Sequence, residues 1–227
     1  MSFKIDLHVH TAESSECGRL SGAQMAMIYK DRGYDAIVIT DHFYMSKRQS
    51  ALPIEKWGKY IDSKLLGYYN AKDCSKNVGI NVYLGAEYRY MGNDFLIYGL
   101  TPEMLYTEDF KNAFADNTKF LALKEKYSFA VFQAHPTRTV HHNTPVLSDV
   151  LDGYEVFNAS HHNLNSDCNI NAQKVCESEK KIAIGGSDSH YFYSVGKGGI
   201  ITERLPKDSI DLKNMLLNKE FKPIEVY

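Results

Sequence analysis

A chain of 227 residues, 44% hydrophobic and 24% charged, has the composition of an ordinary globule and is long enough to bury a sizeable core. A formal charge of −2 and pI near 6.5 argue against bulk nucleic-acid binding, while leaving a local site for a nucleotide open. No apolar run approaches the roughly 20 residues of a bilayer span, "MSFKIDLHVH" enters a strand pattern at once, and Cys17, Cys74, Cys168 and Cys176 form no CxxC pair. The expectation is one cytoplasmic domain over 1–227 with reduced thiols and no membrane contact.

The first predicted strand, "FKIDLHV", holds His8, and His10 follows at once. Residues i and i+2 of a strand share a face, so two imidazoles converge in a geometry that suits two nitrogen ligands on one ion. Two surface histidines on a half-exposed strand would give the same pattern. Ser21 and Gln24 then match a capping box for a helix over "SGAQMAMIYKDRG", with Met25, Ile28 and Tyr29 on one face and Gly33 as its stop. "DAIVIT" predicts the second strand and leads into Asp41 and His42. A helix over Ile54–Lys76 places Ile61, Leu65, Tyr68 and Tyr69 at helical spacing.

"INVYLGAEY" carries Glu87, "DFLIYGL" begins at Asp94, and "FAVFQAH" ends at His135 after a predicted helix over Thr118–Lys126. "GYEVFN" brings Glu155 and Asn158, a helix spans Asn165–Glu179, and "KIAIGG" leads to Asp188 and His190. "GGIITE" reads as an eighth strand before a helix over Asp208–Lys219. Strands alternating with helices predict an α/β fold with a parallel sheet, and seven or eight units in this length predict a compact barrel.

Nearly every predicted strand ends in an imidazole or a carboxylate, and five of nine histidines stand at such ends. In a parallel barrel those ends gather on one face. Imidazole mixed with carboxylate suits Zn, Mn or Fe rather than a Mg or Ca cage. The candidates outnumber one tetrahedral shell, so a carboxylate-bridged cluster of two or three divalent transition-metal ions is the natural reading.

Taken in order, "DLHVHT", "VITDH", "GAEY", "QAHP", "YEVFN" and "GGSDSH" resemble the PHP family of polymerase-and-histidinol-phosphatase domains, over about residues 4–190. The resemblance implies a distorted seven-stranded (β/α)7 TIM-like barrel, up to three metal ions at the C-terminal ends of its strands, and hydrolysis of phosphoesters. It implies one metal on His8, His10, Glu87 and Asp188 with Glu87 bridging, a second on His135, and a third on His42 and His190. The chain departs from the family pattern twice. Asp94 stands where family members often have a His, which favours a harder ion such as Mn. Cys17 stands before Gly18 where an Asp or His ligand is common, with Glu13 close by, so Cys17 and Glu13 are candidate third-site ligands.

Arg138, three residues after His135, is a candidate bidentate donor to a phosphate, with a solvated loop arginine as the plain alternative. His190 is the second candidate catalytic group, near the leaving oxygen. His141, His142, His161 and His162 read as surface histidines. The expected activity is a phosphatase or small nuclease that uses a metal-activated water on a small phosphorylated substrate, with oligomeric state open. The rivals are an amidohydrolase-type carbon–nitrogen hydrolase, whose barrel also begins with an HxH strand, and a non-catalytic metal-binding regulatory domain.

Overall fold

The computed structural model describes residues 2–44, 51–90, 92–113 and 117–226. Strand β1 (Phe3–Val9) is buried on both faces from Ile5 onward, as befits a strand wrapped by helices outside and side chains inside. It pairs in parallel with β2 (Ala36–Ile39), which pairs in parallel with β4 (Asn81–Tyr90). A short β3 (His42–Tyr44) also lies parallel to β4, with His42 opposite Glu87. Next come β5 (Asn93–Tyr98), β6 (Ala130–Gln133), β7 (Gly153–Asn158) and β8 (Ile182–Gly186). Beyond β8 the chain returns to β1. Ser189 bridges Val9, donating its N–H to His8 O (3.2 Å) and accepting from His10 N (3.1 Å). The sheet is thereby nearly closed into a barrel.

Two strands correct the expectation of an all-parallel sheet. β5 runs antiparallel to both neighbours, because only two residues separate it from β4 and no crossover helix fits there. The start of β5, not its end, therefore lies at the mouth, which brings Asp94 opposite Arg89. The eighth predicted strand exists as β9 (Ile200–Thr202), but it is antiparallel to β1 and carries an unforeseen β10 (Phe221–Pro223) on its far edge.

Helix α1 (Gly22–Asp31) has the expected capping box on Ser21 and Gln24, with Met25 and Tyr29 buried and Gly33 at φ 75° beyond its end. Helix α2 (Ile54–Val78) buries Trp57, Ile61 and Leu65, whereas Tyr69 is 44% exposed, so the apolar face is narrower than its spacing predicted. At Gly22 a Cβ would meet Gly67 O at 2.0 Å, which is why the two helices can touch backbone to backbone. Two short helices, α3 (Pro102–Leu105) and α4 (Glu108–Ala113), were not predicted. They are followed by α5 (Asn117–Tyr127), α6 (His161–Leu164), α7 (Cys168–Ser178) and α8 (Ser209–Leu217). Among the described residues no helix is long and apolar enough to cross a membrane.

Candidate metal centre

Glu87, at the mouth end of β4 and 1% exposed, is the hub. Its Oε1 lies 3.4 Å from His8 Nε2 and 3.2 Å from His135 Nε2. Its Oε2 lies 2.9 Å from His42 Nδ1 and 3.3 Å from His10 Nε2. Asp188 Oδ1 stands 3.5 and 3.4 Å from Nε2 of His8 and His10, whose own Nε2 atoms are 3.0 Å apart. The strand geometry of "HVH" thus delivers the convergence it promised. His135 and Asp188 sit at φ 30° and 51°, in the left-handed region that costs non-glycine residues energy. Each lies just past a strand end, turned to aim its side chain inward.

The rings are held by their outer nitrogens. His8 donates from Nδ1 to Glu155 Oε1 at 2.8 Å, and His190 donates from Nδ1 to the backbone carbonyl of Asp188 at 2.9 Å. His10 Nδ1 lies 3.4 Å from Ser15 Oγ, which donates to Asp41 Oδ1 at 2.6 Å. In the neutral ring each bond fixes the tautomer whose Nε2 lone pair faces the cluster, as metal-binding imidazoles require. Glu155 also accepts from His135 N and Asn158 Nδ2, and Asp41 accepts from Thr11 N and Oγ1. The sequence marked Glu155, Asn158 and Asp41 as metal-competent. In the structure they orient ligands.

Burial works against every charge here, and the cluster decides the outcome. Burial pulls the His10 and His42 imidazoles down, but the carboxylates beside them, Glu87 and Asp188 for His10 and Glu87 for His42, push both up to about 9. His8 is raised for the same reason by Glu155, Asp188 and Glu87. Burial alone would raise Glu87 and Asp188, yet His42 and His8 hold the first, and Arg138 and His8 the second, well below the carboxylate range. His190 differs: burial and the His10 cation bring it down to about 4. The carboxylates are therefore anionic and demand positive charge at their centre.

The donor set fits divalent ions. Asp94 Oδ1 and His135 Nδ1 are buried without a hydrogen-bond partner among the described residues, a costly state that coordination to an ion would relieve for the carboxylate. Three groups have ligand atoms within 4.8 Å of one another: His8, His10 and Asp188; Glu87, Asp94 and His135; and His10, Cys17, His42 and His190. Asp94 and Cys17, the two departures from the family pattern, thus both join the cluster.

Two expectations need correction. Glu13 is not in any of these groups, because its carboxylate accepts from Gly22 N at the start of α1 (3.0 Å) and from Asn70 Nδ2 (2.9 Å). A carboxylate at a helix N-terminus meets free N–H groups and the positive end of the dipole. Arg138 is on the cavity wall as predicted but is only 6% exposed and already engaged. Nε donates to Asn163 Oδ1 (2.9 Å), and Nη2 donates to Asn158 Oδ1 (3.1 Å), Ser160 Oγ (3.0 Å) and Asp188 Oδ2. Its first role is to hold Asp188. His142 is exposed, as expected of a surface histidine, and the side chains of His141, His161 and His162 lie outside the described ones.

The cluster opens into a cavity of about 440 Å³, whose wall includes Arg89, Ser160, Tyr191 and Tyr193. Arg89 is the looser guanidinium, 38% exposed and 3.8 Å from Asp94. Nothing in the sequence pattern singled it out, since a lone strand arginine carries no spacing signal.

A family model described as the PHP domain matches residues 6–180. No curated protein matches the chain. Several solved structures share the fold. A two-domain Bacteroides vulgatus protein, containing a PHP-like metal-dependent phosphoesterase assigned by prediction, superposes with a TM-score of 0.65 at 16% identity. The match covers 100% of this chain and 65% of that one, so the chain spans just under two thirds of that protein. A provisionally assigned metal-dependent phosphoesterase from Bifidobacterium adolescentis gives 0.55 at 15% identity, covering 94% and 96% of the two chains. An amidohydrolase from Chromobacterium violaceum, with bound sulfate and no metal, gives 0.51 at 14% identity, covering 97% and 98%. At such identities the likeness is one of fold, and the chemistry must be argued from the site.

Proposed function

The chain belongs to the PHP domain family, and on that premise we propose that it is a metal-dependent hydrolase that cleaves a phosphoester, a phosphomonoester or nucleotide-type substrate, at a centre of two or three divalent ions. The observation that carries the reading is the hub at Glu87, where ring nitrogens of His8, His10, His42 and His135 lie 2.9–3.4 Å from one carboxylate. Divalent ions held by these groups, with Asp94, Cys17, Asp188 and His190, would supply Lewis acidity toward a phosphoryl oxygen and acidify water for attack.

The protein's own groups account for the rest. Arg138 fixes Asp188 and completes a network with the buried Asn158 and Asn163 and the half-buried Ser160, so the first ligand set is held before substrate arrives. Arg89, weakly held, is free to donate to a phosphate oxygen as charge accumulates there. His190 directs its Nδ1 proton to the Asp188 carbonyl, so its Nε2 lone pair can bind an ion or accept a proton from the attacking water. The loosely held Arg89 guanidinium on the wall suits a phosphate dianion better than a neutral amide, and among the described residues no lysine lines the cavity.

The test is to load purified protein with Mn, Fe or Zn, count ions by elemental analysis, and assay phosphomonoesters, phosphodiesters and amides in parallel. At least two ions per chain with phosphoester turnover is expected. Turnover of amides alone would establish the carbon–nitrogen reading instead, and occupancy below one ion would overturn the cluster.

A further inference from the structure

Three consecutive aromatics follow the last cluster imidazole, and all are exposed: Tyr191 by 40%, Phe192 by 60% and Tyr193 by 59%. Exposed aromatics in a row at the lip of a polar cavity need a reason. They divide by direction. The Phe192 ring is covered by the Arg32 guanidinium, 4.8 Å from its centroid, while Tyr191 and Tyr193 belong to the cavity wall. Their rings lie nearly parallel, 8° apart with centroids at 5.3 Å.

The pair continues a line of rings that begins in the cluster. His10 and His190 are stacked at 4.3 Å, His190 and Tyr191 are 6.4 Å apart, and Tyr193 follows. One end of the line is metal-binding and the other is apolar and open. The platform is also held in place. Ser194 Oγ accepts from His190 N and Tyr191 N (both 3.2 Å) and donates to Tyr191 O (2.9 Å). The Arg32 guanidinium donates to the carbonyl of the buried Val195. The Arg19 guanidinium, 6.0 Å from the Tyr191 centroid, backs the inner ring. Tyr193 is then the ring left to receive a partner, and little ordering remains to be done on binding.

We propose that Tyr193, backed by Tyr191, is a stacking subsite that selects phosphoesters whose alcohol carries a planar aromatic ring system, with the phosphate at the cluster and the ring extending the tyrosine stack. This deepens the phosphoesterase reading and rests on it. A cavity of about 440 Å³ has room for a ligand of nucleotide size. Nucleobases and simple aryl groups share the required chemistry, a π face set a short way from the phosphate.

The metal-loaded enzyme should be assayed with adenosine 5′-monophosphate, phenyl phosphate and ribose 5-phosphate, as wild type, Tyr193→Leu and Tyr193→Phe. The wild type should favour the two aromatic esters through KM, and the ratio of the two shows whether a nucleobase or any aryl ring is preferred. Tyr193→Leu should shrink the preference over ribose 5-phosphate by about 5- to 150-fold, the range of one base–aromatic stack, while Tyr193→Phe keeps it. A purely structural tyrosine would change all three substrates alike, and that result, or equal efficiencies in wild type, overturns the platform while leaving the phosphoesterase reading standing. If no phosphoester is turned over, that reading falls instead. Calorimetric binding of adenosine then decides the platform by itself: binding lost in Tyr193→Leu supports it, and no binding to wild type overturns it.

Discussion

Arg138 shows how one residue's role depends on what surrounds it. A loop arginine beside a cluster invites the reading of a phosphate clamp, but four hydrogen bonds, three of them to the buried Asn158, Asn163 and Asp188, make it a keystone of the first ligand group. Arg138→Ala should therefore destabilise the metal-free protein by about 3–5 kcal/mol, the cost of leaving one partner of a buried ion pair alone, and Arg138→Lys should restore only part of it. Urea unfolding of the three proteins measures this; unchanged stability would mean that Arg138 is not the keystone and return it to the role of a candidate phosphate donor. Cys17 makes a different statement. Sharing a group with His10, His42 and His190, its thiolate would give that position a soft ligand, favouring Zn or Fe over Mn. Cobalt-loaded wild type should show a sulfur-to-cobalt charge-transfer band that Cys17→Ser lacks, while the ligand-field bands of the other groups persist. A band that survives the substitution would remove Cys17 from the ligand set.

At the scale of elements, what positions the ligands is the contact between α2 and the loop after β1. Ser14 Oγ accepts from Gly67 N (3.1 Å) and donates to Ser63 O (3.0 Å), and Lys64 Nζ donates to Ser14 O (3.0 Å). The clamped loop carries Thr11, Ser15 and Cys17. A Cβ at Gly67 would fall 1.8 Å from Thr11 Oγ1 and 3.0 Å from Asp41 Oδ2, inside the Thr11–Asp41 hydrogen bond. Gly67→Ala should cost about 1–3 kcal/mol as an overpacked contact and weaken the group containing Cys17 and His42, leaving the His8–Asp188 group filled. Thermal melts and elemental analysis check both; a stable variant with full metal content would show that the loop does not need α2. The alternation of "FKIDLHV" and the capping box on Ser21 were legible because they are local. The three-residue β3 and β10 and the clamp on Gly67 were not, since they depend on partners far along the chain, and the antiparallel β5 was missed although its short link to β4 is local.

Across the whole molecule, most residues of the cluster were readable because strand ends in a barrel converge whatever lies between them. The supporting network was not, because Glu155, Asp41 and Ser15 acquire their roles only through tertiary contacts. That network makes the metal-free protein's stability depend on pH in a definite sense. His10 and His42, ordinarily near 6.5, stand at about 9 when folded. A raised imidazole contributes stability that is fully present below 6.5 and is lost as pH rises through about 9. His190, brought down to about 4, acts the other way: the unfolded chain takes up its proton first, so stability falls as pH drops from 6.5 towards 4. The depressed carboxylates Glu87 and Asp188 lose their contribution only below that window. Metal-free protein should therefore lose stability as pH rises from 6.5 through about 9, whereas below 6.5 the loss from His190 is opposed by Asp6, which burial raises to about 6. Divalent ions must displace the protons on His10 and His42, so metal affinity should climb from pH 6.5 to 9 by up to about tenfold per unit for each proton released. Urea unfolding of the metal-free protein across this range, paired with competitive metal titrations, tests both halves. Metal-free stability that rises between pH 6.5 and 9, or an affinity that stays flat there, would mean that these imidazoles are already neutral before metal binds.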